Sequence, residues 1–282
     1  MHRNAHEVTR RLLPVLLVSI IALVLGADAP ADENPPGGFE DVEALIEDLF
    51  DDSPIGFWEP GDGGPQWATE AFSEANIFFE ENTTDGDLGL QFFLDGPGWK
   101  RIKIFDPSGR RVIDIKVRGD VKDIGLTEVF SESAEPGYDE IPRAEFLAMF
   151  PAGPYRIVGK TLDGDRLEST VMLTQDLSAP PVITEPQEGD RVRADRPLTI
   201  RWNGVADPNP PTSVIEAYQV FVEKDEDNER LRVFAVDMKP TDRKLEVPEG
   251  FLEPGKDYKV EIIAEETSGN KVISEVPFRT KS

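Results

Sequence analysis

Asn82, Asp85 and Asp87 bring three oxygen-bearing side chains together around the turn Asp85-Gly86-Asp87. Calcium takes ligands of this kind, six to eight oxygens at a time, but the stretch lacks the twelve-residue loop of an EF-hand. As a hairpin turn, Asp-Gly-Asp needs no metal. Asp225, Asp227 and Asn228 form a second acidic turn open to the same two readings. Trp58 and Trp67 flank a Gly- and Pro-rich stretch, where they either stack on a sugar ring or pin the edge of a core. No other cofactor is implied.

The remaining chemistry is narrowed by what the chain lacks. Arg10 and Arg11 are followed by an apolar run from Leu12 to Leu25 and then by Ala27-Asp28-Ala29. A basic start, an apolar middle and small residues at the end predict a signal peptide over residues 1–29. The run is shorter than the ~20 residues of a membrane-spanning helix, so no stable span is expected after cleavage. The mature chain then starts at Pro30, in a periplasm or outside the cell. Cleavage also removes His2 and His6, the sequence's two histidines, and there is no cysteine. Ser-His-Asp and Cys-His nucleophilic sites are therefore excluded, as is ordinary zinc, copper or haem ligation. Carboxylate acid and base chemistry of the glycosidase kind stays open, but no pair of carboxyls stands out from the acidic background.

The charge points the same way. The formal net charge is -25, and residues 30–99 contain 18 Asp and Glu and no Lys or Arg. Phosphate neutralisation needs cationic side chains, so nucleic acid is a poor partner. A protein or polysaccharide partner, or cations, remain.

The elements that would position these residues follow from periodicity. Residues 30–74 form an acidic leader. Within it, Phe39, Val42, Leu45, Ile46, Leu49 and Phe50 fall on one helical face, predicting an amphipathic helix over 39–50. From Ala75 the period becomes that of strands, with runs at 76–81, 88–94, 99–105, 111–117, 155–162 and 167–174 separated by Gly, Pro and Asp turns. Short antiparallel strands at such intervals predict an immunoglobulin-like β-sandwich over 75–175. It is interrupted at 127–150 by an insertion whose 143–149 part is helical. Residues 176–181 read as a linker.

The last stretch, 182–282, carries the most specific pattern: Trp202 in "LTIRW", Tyr218 in "AYQVFVE", and "LEPGKDYKVEIIA" from Leu252 to Ala264. These residues resemble the fibronectin type III family over its full length. The resemblance implies that Tyr258 turns its hydroxyl back onto the preceding corner with Leu252 packed beneath it. Read without the family, the same run is an alternating strand, with Tyr258, Val260, Ile262 and Ala264 inward and Lys259, Glu261 and Ile263 outward. "FPAGPYRIVGKTLDG" echoes it at 150–164, which puts Tyr155 at the matching corner of the first sandwich.

The fold expected is thus mainly β: two tandem immunoglobulin-like, fibronectin type III-like sandwiches behind a signal peptide and a short acidic helix. The function expected is that of an exported, non-catalytic binding or scaffolding protein. A carbohydrate-binding accessory module and a carboxylate-dependent glycosidase are the alternatives.

Overall fold

The computed structural model describes residues 69–205, 214–226 and 229–282. The leader, the helix expected at 39–50, and Trp58 and Trp67 lie outside the described residues, as do Asp227 and Asn228.

The first half builds β1 (Thr69–Glu70), β2 (Glu74–Asn82), β3 (Asp87–Phe105), β4 (Arg111–Lys116), β5 (Leu126–Glu132), one helix α1 (Arg143–Met149), β6 (Gly153–Thr161) and β7 (Arg166–Leu173). Alternation organises it. Ile77 and Phe79 on β2 meet Leu88, Leu90, Phe92 and Leu94 on β3, all buried in one core with Ile102, Ile104, Ile157 and Leu167. The strands expected at 88–94 and 99–105 are a single strand. Its register breaks between Asp95 and Trp99, across Gly96-Pro97-Gly98. Before the break β3 pairs with β2 and β5, and after it, beyond the single Trp99–Leu126 pair with β5, with β4 and β6, so the punctuation changes neighbours rather than ending the strand. The insertion expected at 127–150 is partly sheet, since β5 joins the edge of β3. The helix is where it was expected, and Phe146 carries it onto the core beside Phe79 and Phe150.

The second half builds β8 (Val182–Glu185), β9 (Arg191–Val192), β10 (Leu198–Asn203), β11 (Ile215–Glu226), β12 (Glu229–Met238), β13 (Lys244–Val247), β14 (Asp257–Glu266) and β15 (Lys271–Thr280). One layer is the three-stranded sheet β13-β10-β8. The other contains β15-β14-β11-β12. Between them lies a second core of Ile200, Trp202, Tyr218, Val220, Tyr258, Val260 and Ile262. The alternation on β14 holds, but its outer side is not solvated as expected. Ile263 is only 6% exposed and clusters with Phe221 and Ile273 on the neighbouring strands, and Glu261 is buried with them.

The two cores share a sheet. β15 runs parallel to β2, with Lys271 opposite Glu80 and Ile273 opposite Asn82, so the strand order continues β3-β2-β15-β14-β11-β12 across both halves. Val272 accordingly sits in the core of the first half although its strand belongs to the second.

Candidate interaction face

Asn270 lies in the turn between β14 and β15 and is fully buried. Its Oδ1 accepts the Phe79 N–H at 2.9 Å, and its Nδ2 donates to the Thr174 carbonyl at 3.2 Å, the Thr174 hydroxyl at 3.0 Å and the Asp176 carbonyl at 2.8 Å. A buried amide can satisfy several backbone groups only when they converge on it. This one extends the β2–β15 ladder by a rung and ties down residues 174–176 as well. Glu266, also buried, accepts the Ser178 N–H at 2.5 Å. At the other end of the joint, Thr83 donates to the Ile273 carbonyl through its N–H at 3.1 Å and its hydroxyl at 2.7 Å.

Because β2 and β15 are paired, the outward residues of both halves lie on one face. Two groups of carboxylates occupy it. On the first half, Glu80, Glu132 and Glu135 bring carboxylate oxygens within 4.8 Å of one another. Glu135 fits because Gly89 has no side chain: a Cβ there would come within 2.8 Å of the Glu135 carboxylate. Desolvation, and then repulsion from Glu132, Glu80 and Asp87, push the Glu135 carboxyl up to about 7. Burial likewise raises Glu80, although Lys271 opposes it. On the second half, Lys259 Nζ lies 2.5 Å from Glu275 and 3.8 Å from both Glu223 and Glu261. Arg232 reaches Glu223 at 3.3 Å and lies over the Phe221 ring. Burial and the neighbouring Glu223 push the Glu261 carboxyl up to about 7, against the pull of Lys259. Neither group was legible as a motif, since residues 80, 132 and 135 are brought together only by the pairing of three strands.

The raised carboxyls set a pH dependence. In the unfolded chain such a carboxyl releases its proton near 4.5, while the folded protein holds it to about 7. Between those values the folded state binds more protons, so stability falls as pH rises through the window. Glu135 is largely exposed and screening reduces its share, so Glu261 should dominate. Lowering the pH from 8 to 5 should raise the unfolding free energy on the order of 1 kcal/mol, and Glu261→Gln should remove most of that rise. Urea melts at several pH values test this; a flat profile that Glu261→Gln leaves unchanged would contradict it.

The residues expected to bind calcium are partly committed elsewhere. Asn82 Oδ1 accepts the Thr84 and Asp85 N–H groups, and its Nδ2 donates to Asp85 at 3.3 Å and Glu275 at 3.2 Å. Asp87 stands opposite Asn82 in the register, and one of its carboxylate oxygens is buried without a partner. Burial, with Asp85 and Glu275 nearby, raises its carboxyl. The arrangement is that of an Asx-stabilised hairpin turn.

The expected structural residues occupy the cores. The Tyr258 hydroxyl accepts the Glu253 N–H at 2.8 Å, with Leu252 buried nearby and the ring stacked on Phe278. Trp202 packs edge-on against Tyr218. Tyr155 is fully buried, but its hydroxyl finds no hydrogen-bond partner, so it forms no matching corner. Tyr258→Phe should cost about 1 kcal/mol, the size of one net hydrogen bond. An unchanged urea midpoint would show that the corner bond contributes nothing.

No family model matches the chain, and no curated protein matches it. Among solved structures, it is similar to the fibronectin(III)-like modules of Clostridium thermocellum CbhA, with 12% identity over 77% of this chain and 92% of that one and a TM-score of 0.30. Chicken CNTN1 FN1-FN3 domains align with 13% identity over 76% of this chain and 65% of theirs, at a TM-score of 0.34. A biofilm-associated protein BSP domain aligns with 15% identity over 73% of this chain and 29% of that one, at 0.24. The sandwich architecture itself rests on the strand pairing and the two cores described above.

Proposed function

We propose that this chain is an exported, non-catalytic binding or scaffolding protein whose two β-sandwiches present a single rigid surface. One observation carries the reading: β2 and β15 pair across the two halves and Asn270 locks the joint, so the outer faces of both form one continuous sheet. Tandem modules joined by a free linker would instead be expected to move relative to each other. The carboxyls with raised pKa, Glu80, Asp87, Glu135 and Glu261, lie along this sheet face. Catalysis by carboxylates needs them held around a substrate with water excluded. Among the described residues, no helix is long and apolar enough to cross a membrane.

The chain purified from its host, used as bait against the native envelope fraction, should retain a stoichiometric protein or polysaccharide partner. Turnover of a glycoside by the purified chain, lost when a single carboxylate is replaced, would overturn the reading.

A further inference from the structure

We propose that β12 is a docking edge for an extended segment of a partner polypeptide, which adds to the sheet as a further strand with apolar side chains at every second position and a basic residue opposite Asp237. The inference rests on the reading of the chain as a binding protein and names where the partner docks and in what form.

Three observations select that occupant. The first is the backbone. Among the described residues β12 pairs with β11 alone and ends the sheet, so the N–H and C=O groups on its other side have no strand to meet. It is ten residues long, against six for β4, seven for β5 and four each for β8 and β13 at other edges. It contains no Pro or Gly and carries four consecutive apolar residues, Val233 to Val236. A long unguarded edge of this kind is a template for another strand. Its register with β11 shifts once, between Val222 and Glu223, and Phe234 to Met238 then pair regularly with Val222 to Tyr218.

The second is an open apolar seam. Phe234, Val236 and Met238 stand opposite the core residues Val222, Val220 and Tyr218, yet all three remain partly exposed. Phe251, 42% exposed, packs edge-on against Phe234 at 5.2 Å, and Leu231 is 56% exposed nearer the start of the strand. A strand laid beside β12 covers this seam with every second side chain, so that main-chain bonds give affinity and alternate side chains give specificity. The third is charge. On the other face of β12, Ala235 and Asp237 are exposed, and Asp237 makes no ion pair among the described residues. A basic residue directly opposite gains a cross-strand charge pair. The net charge of -25 favours a basic segment and disfavours a second copy of this chain.

The probe is a nine-residue peptide, Thr-Val-Lys-Val-Thr-Val-Lys-Val-Thr, whose side-chain pattern is the same in either direction. With the chain purified from its host, fluorescence anisotropy should show binding, and amide exchange should slow at alternate residues between Phe234 and Met238. Successive N–H groups of a strand point to opposite edges, so N-methylation of the valines blocks one edge of the peptide and N-methylation of the other residues blocks the second. One methylated peptide should bind at least about tenfold more weakly, and the other within about twofold of the parent. Asp237→Lys should weaken binding about fivefold and restore it for the peptide with Glu in place of Lys. Phe251→Ser should weaken the lysine peptide about fivefold, whereas Glu128→Lys on β5, the same change of charge, should alter it less than about twofold. Asp237, Phe251 and Glu128 are exposed, so unchanged melting temperatures are expected, and the methylated peptides test the unaltered chain whatever the variants do to folding. Equal losses from the two methylated peptides, or from Asp237→Lys and Glu128→Lys, would reduce the binding to general attraction and overturn the proposal. Dimers of the chain that the peptide dissociates would give the edge to a second copy and overturn it as well. A partner from the envelope fraction captured undiminished by the Asp237→Lys and Phe251→Ser chains would overturn this inference and leave the binding reading standing; capture of nothing would remove the reading beneath it.

Discussion

Replacing Asn270 with alanine should lower the unfolding free energy by about 3 kcal/mol and make the two sandwiches melt separately. The side chain is fully buried, and its loss strands the Phe79 N–H and the Asp176 carbonyl away from water. A buried donor or acceptor left unpaired costs about 1–3 kcal/mol, and here at least two are exposed to that cost. The position also couples the halves: Asn270 lies between β14 and β15 of the second, whereas its partners, Phe79 on β2 and Thr174 and Asp176 after β7, belong to the first. Asn270→Asp should be no better, because a carboxylate would face the Thr174 and Asp176 carbonyls that the amide now satisfies. Differential scanning calorimetry should give one transition for the unaltered 69–282 unit and two for the variant. A single transition at an unchanged temperature would show that the joint does not depend on this residue.

Phe79→Ala should cost about 3–5 kcal/mol without dividing the transition. The ring is fully buried and meets Phe146 at 6.4 Å and Phe150 at 6.5 Å, both edge-on. Removing it leaves a cavity bounded by α1 and the β2–β3 sheet, neither of which can collapse without breaking strand register. The backbone N–H bond to Asn270 is untouched, so the damage stays in the core of the first half. Urea denaturation measures the loss; a value below about 1.5 kcal/mol would mean the surroundings relax into the space.

The two variants mark where the sequence was informative and where it was silent. The second core was legible because its signals are local. Leu252 and Tyr258 fall within one loop and strand, and Trp202 and Tyr218 lie on two consecutive strands of that core. Helix α1 was legible because Phe146 and Met149 keep helical spacing in seven residues. The strand β5 was hidden because its outward residue Phe130 is apolar and exposed, which spoils the alternation that would have revealed it. The joint was hidden for another reason. Asn270 follows Ser268-Gly269 and reads as an ordinary turn residue, while the groups it binds lie 94 to 191 residues away. Parallel pairing between β2 and β15 leaves no trace in either strand's own pattern, and the carboxylate groups are assembled by that pairing. The fold of each half is written in short-range periodicity, whereas the shared face depends on contacts that only packing specifies.

The central claim is that the two sandwiches form one rigid body with a continuous outer face. Residual dipolar couplings of backbone amides, measured in the intact chain in one weakly aligning medium, test it most directly. A single alignment tensor should fit the amides of β2, β3 and β6 together with those of β11, β14 and β15. Two tensors of different magnitude or orientation, one for each set of strands, would show that the halves move independently and that no shared face exists.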